Sequence, residues 1–118
     1  MQGEHGREPA RHLAQALLDL PEPPTAIFAA SDTQALGVLE AARARGRRVP
    51  EDLSVIGYDD LEVAEYLGLT TVRQALFDSG RLSAEYLLTA IAEPLTPPAQ
   101  ATLTTKLVVR RTTAPPAP

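Results

Sequence analysis

Apolar residues recur at two different spacings along the chain, and this predicts alternating helices and strands. Residues 7–20 carry alanine and leucine at helical spacing, with Pro9 acceptable in a first turn. The run TAIFAA at 25–30 is almost wholly apolar, as in a strand that is covered on both faces. A second apolar run at 53–57 follows a Pro-marked connection. We therefore expect a helix and then two buried strands.

The segment SDTQ at 31–34 has the pattern of a helix start. Ser31 with Gln34 three residues later fits a capping box, in which the two side chains satisfy free N–H groups. An apolar stripe follows, arginines lie at its end, and Gly46 suits the left-handed position after a helix. The pattern predicts a helix that ends near Arg45.

Strand, helix and strand over about thirty residues form a βαβ unit, whose strands run parallel because the crossover is right-handed in nearly all cases. In an open parallel sheet, ligands bind outside the carboxyl ends of the strands. Ser31 and the pair Asp59–Asp60 follow two such ends. Neighbouring strands lie roughly 5 Å apart, so these polar groups should share one edge. The predicted fold class is α/β, a Rossmann-like parallel sheet flanked by helices.

The next part of the chain predicts three more elements. The segment 61–68 suits a short helix, and LTTVRQ at 69–74 suits a third strand. A helix is expected over 79–93, capped by Asp78 or Ser79.

Alternating residues near the carboxyl end predict a last strand within 101–111. We expect one face of it to be exposed, with the apolar side formed by Leu103, Thr105, Leu107 and Val109. The Pro-rich segment from Thr112 onward lacks core-forming residues, so it is predicted to be a frayed tail.

Composition narrows the classes of function. The chain has 118 residues, a net charge of −4 and no cysteine. It contains no basic cluster longer than RARGRR at 43–48, which argues against nucleic-acid binding by these residues. The polar first twenty residues and the lack of a spanning apolar run predict a cytoplasmic protein with no membrane contact. The glycines form no phosphate-binding motif, so no cofactor is expected.

The adjacent carboxylates Asp59 and Asp60 allow several interpretations. A catalytic pair is disfavoured because adjacent side chains point in different directions and no His or Lys lies nearby. A metal site would need more oxygen ligands than Asp59, Asp60 and Glu62 supply. Both residues could instead cap the turn that follows. We expect neither catalysis nor a metal site here.

The sequence resembles the effector-binding part of LacI/GalR-type bacterial transcriptional regulators. Three ordered segments carry the resemblance, PPTAIFAASDTQALGVLEAA at 23–42, RVPEDLSVIGYDD at 48–60 and LTTVRQ at 69–74, and LVVRRTTAPP at 107–116 matches as well. The match runs from about Gly6 to Pro116.

The resemblance implies a partial periplasmic-binding-protein-like type I fold, in which two Rossmann-like subdomains close around a sugar or sugar derivative. We expect residues 6–74 and 101–113 to form the C-terminal subdomain, 77–93 a crossover helix and 114–118 a disordered tail. The chain resembles about the last third of such a regulator, so DNA contact is expected only through a module absent from this chain.

The resemblance also implies a binding site. Asp59 matches the acid that accepts hydrogen bonds from effector hydroxyls, and Ser31 stands where many relatives have Asn. Gln74 and Leu76 match positions near the cleft. Asp60 is expected to be a turn residue that supports this site.

A homodimer is the second implied property. The expected interface residues are Leu36, Leu39, Tyr66 and Leu67, although Leu39 could simply belong to the core. The helix at 79–93 would lack its usual partner, and a second copy could cover it by exchange.

Two other interpretations stay open, a fragment of a transport-type sugar-binding protein and a truncated product without independent activity. The lack of an export signal favours the regulator. A helix-turn-helix encoded directly upstream would decide between them.

Overall fold

The computed structural model describes residues 5–118 and contains alternating helices and strands. The element bounds are α1 Arg7–Leu18, β1 Ala26–Phe28, α2 Asp32–Ala44, β2 Ser54–Asp59, α3 Glu62–Leu67, β3 Thr70–Arg73, α4 Leu76–Ala92 and β4 Lys106–Val108. The strands form one four-stranded sheet in the order β1-β2-β3-β4. Both β1–β2 and β2–β3 pair in parallel, so the predicted α/β class and βαβ unit are confirmed.

The chain divides into two compact units. One consists of the residues up to Arg73 together with Leu107–Pro118, and the other is Gln74–Lys106. The first unit contains the core, in which α1 and α2 pack together and β2 lies beneath them. Its fully buried large side chains include Leu53, Val55 and Leu69.

A glycine allows α1 and α2 to approach closely. A Cβ atom at Gly37 would lie 2.1 Å from the backbone oxygen of Arg7. Alanines dominate the contact, since Ala10, Ala14 and Ala41 are all buried. Small residues thus let the two helices pack backbone against backbone.

The ends of α2 follow the sequence prediction. The Ser31 hydroxyl accepts a hydrogen bond from the Gln34 N–H at 3.1 Å, which is the first half of the predicted capping box. Arg45 is the C-terminal cap, and Gly46 follows with φ of 63°. The helix therefore ends where the arginine-rich segment begins.

Two predicted boundaries are wrong. The helix expected from residue 79 begins at Leu76. Its N-cap residue is Ala75, which makes no side-chain capping bond, so neither Asp78 nor Ser79 is the cap. Strand β2 continues past Gly57 to Asp59, which places the first aspartate of the pair in the sheet itself.

The last strand is shorter than predicted and faces the other way. Only Lys106–Val108 is strand, and Leu107 and Val109 are exposed. Val108 and Arg110 are half-buried and Thr112 is buried. The side chains that face inward are therefore these three, and not those of Leu107 and Val109.

The first residues of the segment expected to be a frayed tail are hydrogen-bonded to the strands of the sheet. Thr112 donates to the carbonyl oxygen of Val55 at 2.7 Å and accepts from the Thr70 N–H at 2.9 Å. The Ala114 N–H donates to the Ser54 hydroxyl at 3.0 Å. The prediction of a frayed tail from Thr112 onward is therefore wrong for Thr112 and Ala114.

The second unit is built around α4. Its half-buried residues Leu82 and Tyr86 line a cavity of about 420 Å³ together with the segment 99–103. No residue of α4 is buried. Within residues 5–118, no helix has the length and apolar character needed to cross a membrane.

Candidate functional site

The register of the parallel strands brings the two predicted binding residues to one edge of the sheet. Ala26 lies opposite Ser54 and Phe28 lies opposite Ile56. Strand β1 ends at Phe28 and β2 ends at Asp59, and Ser31 follows β1 as the cap of α2. Ser31 and Asp59 thus lie at the carboxyl ends of neighbouring parallel strands, which is where open α/β sheets bind ligands.

Ser31 serves as the N-terminal cap of α2. Its oxygen accepts the hydrogen bond from the Gln34 N–H, and its own O–H can still donate because a hydroxyl is both donor and acceptor. Its side chain is half-buried at the start of the helix. The cap holds this hydroxyl in place at the edge.

Asp59 is the last residue of β2 and has an unusual backbone. Its φ is 115°, and the φ of Asp60 is 59°, so two consecutive residues other than glycine have positive φ. Asp59 lies opposite Arg73 of β3 in the parallel register. Such conformations persist only where surrounding contacts fix them.

Asp60 is held by two arginines. Arg73 Nε lies 2.6 Å from one of its carboxylate oxygens, and Arg110 Nη2 lies 2.8 Å from the other. The Asp60 side chain is only 8% exposed. Burial acts to raise the pKa of Asp60, but the hydrogen bonds and charges of the two arginines outweigh burial and lower the pKa below its usual value.

A third acidic residue near this edge, Asp32, was not predicted to have a role. It is the first residue of α2 and is fully buried. Its Oδ2 accepts from the Leu61 N–H at 2.7 Å, and its Oδ1 accepts from the Thr71 hydroxyl at 2.6 Å. Asp32 therefore joins the start of α2 to the loop after β2 and to β3.

The sequence carried only a partial signal for these contacts. Asp32 follows Ser31 in a capping segment, where an acidic residue is usually explained by the helix dipole alone. Arg73 lies in the predicted third strand, but the sequence did not specify the register that sets it opposite Asp59. Arg110 comes from the last strand region, whose position beside β3 the sequence did not specify.

The other two predicted ligand-binding residues belong to the second unit. Gln74 is half-buried and directly follows β3 in the chain. Leu76 is the first residue of α4 and is 52% exposed. Their roles stay predictions.

The predicted interface residues differ in exposure. Tyr66 is 84% exposed, whereas Leu36 is half-buried. Leu39 and Leu67 pack partly against the core, and both line a cavity of about 450 Å³ with Val49. Leu39 thus packs against the core, which was the alternative interpretation of this residue, and it also lines the cavity.

A cavity beside β1 extends to the residues next to Ser31, since Ala30 and Gln34 belong to its lining. It measures about 370 Å³ and lies between α1 and β1, with Leu13, Leu17, Ile27 and Phe28 among its lining residues. Neither Ser31 nor Asp59 lines it. Over residues 5–118, no cluster of three or more His, Cys, Asp or Glu side chains is arranged to hold a metal ion.

Comparison with known proteins agrees with the fold. The model of the periplasmic binding protein-like domain matches residues 2–113. A curated relative, the probable HTH-type transcriptional repressor ExuR of Bacillus subtilis (strain 168), is 38% identical over 112 residues, which is 93% of this chain and 34% of that protein. The chain thus spans about a third of the length of this relative.

Solved structures resemble the chain closely. A LacI family transcriptional regulator from Enterococcus faecium with bound ribose aligns with a TM-score of 0.85 and 32% identity, covering 95% of this chain and 42% of that one. A LacI family regulator from Arthrobacter sp. FB24 in complex with lactose aligns with a TM-score of 0.81 and 39% identity, covering 94% of this chain and 42% of that one. These neighbours are sugar-bound regulators.

Proposed function

We propose that this chain, which belongs to the periplasmic-binding-protein-like domain family, is the ligand-sensing and dimerising portion of a LacI-type transcriptional regulator. It corresponds to the C-terminal part of the effector-binding domain of such a regulator. The proposed ligand is a sugar or a sugar derivative. The observation that supports the proposal is the parallel pairing of β1 with β2, because Ser31 comes after the end of β1 and Asp59 is the last residue of β2, at the same edge of the sheet.

Asp59 is the proposed acceptor for ligand hydroxyl groups. An ionised carboxylate accepts hydrogen bonds and can take two hydroxyl protons. Each such bond is worth roughly 1.5 to 3 kcal/mol when water is excluded. The Ser31 hydroxyl can donate to a further ligand oxygen. This combination suits a polyol better than an anion, because Asp59 would repel a negative charge.

In the second unit, taken by itself, Gln74 and Leu76 are the residues proposed from the resemblance to contact a sugar. An amide side chain both donates and accepts, which fits the alternating hydroxyls of a sugar. An exposed leucine can cover the apolar face of a sugar ring.

We further propose that the chain forms a homodimer through Leu36, Leu39, Tyr66 and Leu67. The exposed ring of Tyr66 and the open cavity beside Leu39 and Leu67 support this surface. Exchange of α4, the helix predicted over 79–93, would provide a second contact. Leu87, Leu88 and Ile91 of α4 are all exposed, and each is more than 60% accessible.

The proposed setting is the cytoplasm, since the curated relatives are transcriptional repressors. The same relatives support a binding protein and not an enzyme. The net charge of −4 argues against DNA contact by these residues, so a separate module would carry it.

Titration of the isotope-labelled chain with ribose and with lactose, followed by NMR, tests the site. We expect amide shifts at Ser31 and Asp59, and we expect Asp59→Ala to remove them. The exposed residue Glu22 supplies the control, because Glu22→Ala should leave the shifts unchanged. Shifts confined to the cavity beside β1, or equal shifts in Asp59→Ala, would refute the proposed site.

Affinity for the isolated chain should be weak, because this edge supplies only part of the contacts that enclose a sugar. Calorimetry is therefore expected to detect no micromolar binding. Micromolar affinity that Asp59→Ala abolishes would overturn the expectation of weak binding while supporting the site.

A further inference from the structure

We propose that Asp32 is the positioning residue that fixes the backbone of Asp59 and thereby aims the proposed sugar-binding carboxylate. The inference rests on the proposed function for the role of Asp59. Its evidence is a set of contacts within the first unit that converge on the loop between β2 and α3.

The loop after β2 has a conformation that its own residues do not favour. The φ values of Asp59 and Asp60 are 115° and 59°. Side chains with a Cβ atom rarely adopt positive φ, and the value at Asp59 lies outside the left-handed helical region that Asp tolerates best. Contacts on both sides of Asp59 must therefore maintain this conformation.

Asp32 provides the contact on the far side of the loop. Its Oδ2 accepts from the backbone N–H of Leu61, two residues after Asp59, at 2.7 Å. Asp60 is fixed through Arg73 and Arg110, so the residues that follow Asp59 are tied at two successive positions. On the near side, the parallel pairing of β2 with β3 holds Asp59 itself.

The position of Asp32 is in turn fixed from three directions. It is the first residue of α2, where the helix dipole favours a negative charge. The Thr71 hydroxyl donates to its Oδ1 at 2.6 Å, which fixes the carboxylate plane against β3. A Cβ atom at Gly57 would lie 2.3 Å from Oδ1, so the glycine in β2 leaves the space that the carboxylate occupies.

The adjacent residues Ser31 and Asp32 of the SDTQ segment make different contacts. Ser31 faces the edge as the cap of α2, while Asp32 is buried and reaches the loop of the neighbouring strand. One helix start thus orients both polar groups of the proposed site.

The test is solution NMR on the 118-residue chain with no ligand, so its result does not depend on whether sugar binds. Thr71→Val removes only the hydroxyl, and Asp32→Ala/Thr71→Val removes the carboxylate as well without leaving that hydroxyl unpaired. The readouts are the amide–Hα coupling constant of Asp59, which reports φ, and the hydrogen exchange rate of the Leu61 amide.

Thr71→Val should change both readouts less than the double variant does, because Asp32 keeps its bond to the Leu61 N–H in Thr71→Val. In the double variant, we expect the Leu61 amide to exchange roughly tenfold faster or more and the Asp59 coupling constant to move toward that of an extended residue. Asp32→Asn should keep the Asp59 coupling, because its carbonyl can accept from Leu61 while its NH₂ donates to Thr71.

An Asp59 coupling constant that is identical in the double variant and in Thr71→Val would overturn the proposal, even if both variants melt at lower temperature. If the double variant does not fold, Asp32→Asn decides. A neutral acceptor is weaker than a charged one, so faster exchange at Leu61 supports the proposal and an unchanged rate refutes it.

Discussion

Arg110 donates to the carboxylate of Asp60 across 2.8 Å and so joins the residues that follow β4 to the loop that follows β2. Arg73 of β3 binds the other carboxylate oxygen. One aspartate therefore ties three segments together beside the proposed ligand site. Because Asp60 is 8% exposed, its carboxylate is shielded from water more than that of Asp19, which is 53% exposed in its ion pair with Arg45.

Asp60→Asn should destabilise the protein at neutral pH. The folded-state pKa of Asp60 is lowered, so its contribution is present above the unfolded value of about 3.9 and is lost as the pH falls through the folded value. We expect a loss of about 2 kcal/mol in unfolding free energy at pH 7. Thermal unfolding followed by circular dichroism from pH 7 to pH 3 measures this.

The difference between wild type and Asp60→Asn should shrink as the pH falls below about 4. Asp19 supplies the control, because its ion pair with Arg45 lies on the surface and the Asp19 side chain is 53% exposed. Asp19→Asn should change the melting temperature less than Asp60→Asn does. Equal effects of the two substitutions at pH 7 would contradict the assigned role of Asp60.

Gly57→Ala should destabilise the first unit by about 2 to 3 kcal/mol. Its Cβ would lie 2.3 Å from Asp32 Oδ1 and 2.9 Å from Leu69 Cδ2, and both neighbours are fully buried. The carboxylate would have to move away from Thr71 or from Leu61. Urea unfolding of the variant and of wild type gives the difference.

Gly80→Ala is the matched control for this substitution. Gly80 lies inside α4 with nothing within 4 Å of the added Cβ atom. Alanine is favoured over glycine in a helix by up to about 1 kcal/mol, so this variant should be neutral or stabilising. A Gly57→Ala variant as stable as Gly80→Ala would show that Asp32 has more freedom than its contacts indicate.

Thr112→Val should lower stability by about 2 to 4 kcal/mol, because it leaves the Val55 carbonyl and the Thr70 N–H without this partner. Thr112 is 6% exposed, so water cannot readily replace the lost bonds. Chemical unfolding measures the loss. Thr105→Val, at an exposed position, should change stability little, and a similar loss in both variants would argue against a structural role for Thr112.

The local patterns predicted the parts of the fold that depend on neighbouring residues in the chain. The start of α2 at Ser31, the left-handed Gly46 and the parallel pairing of β1 with β2 are confirmed. Parallel pairing follows from the βαβ order alone, so the placement of Ser31 and Asp59 at the same edge of the sheet could be predicted as well.

The errors arise where distant residues decide the structure. Alternation over 101–111 predicted a long strand, but a strand forms only where β3 offers an edge, which limits it to Lys106–Val108. Asp32 was missed because its acceptor role depends on Leu61 and Thr71, which only the folded sheet brings to it. Arg110 was missed for the same reason.

The proposed dimer predicts a mass of two subunits. Each subunit is 12.6 kDa, so light scattering at tens of micromolar should give twice that value. Tyr66→Arg should shift the mass toward one subunit, because it places a charge on the 84% exposed ring position of the proposed interface. Its unfolding free energy per subunit should change little, since the ring contributes little to the core.

Leu95→Arg is the control for this substitution, since Leu95 is 99% exposed and lies outside the proposed interface. A charge at Leu95 should leave the mass at two subunits. If Tyr66→Arg and Leu95→Arg both keep the dimer, the contact lies elsewhere, and exchange of α4 becomes the contact to test. A single-subunit mass for the wild-type chain would remove the dimer proposal altogether, because the exposed apolar residues would then lack a second copy to cover them.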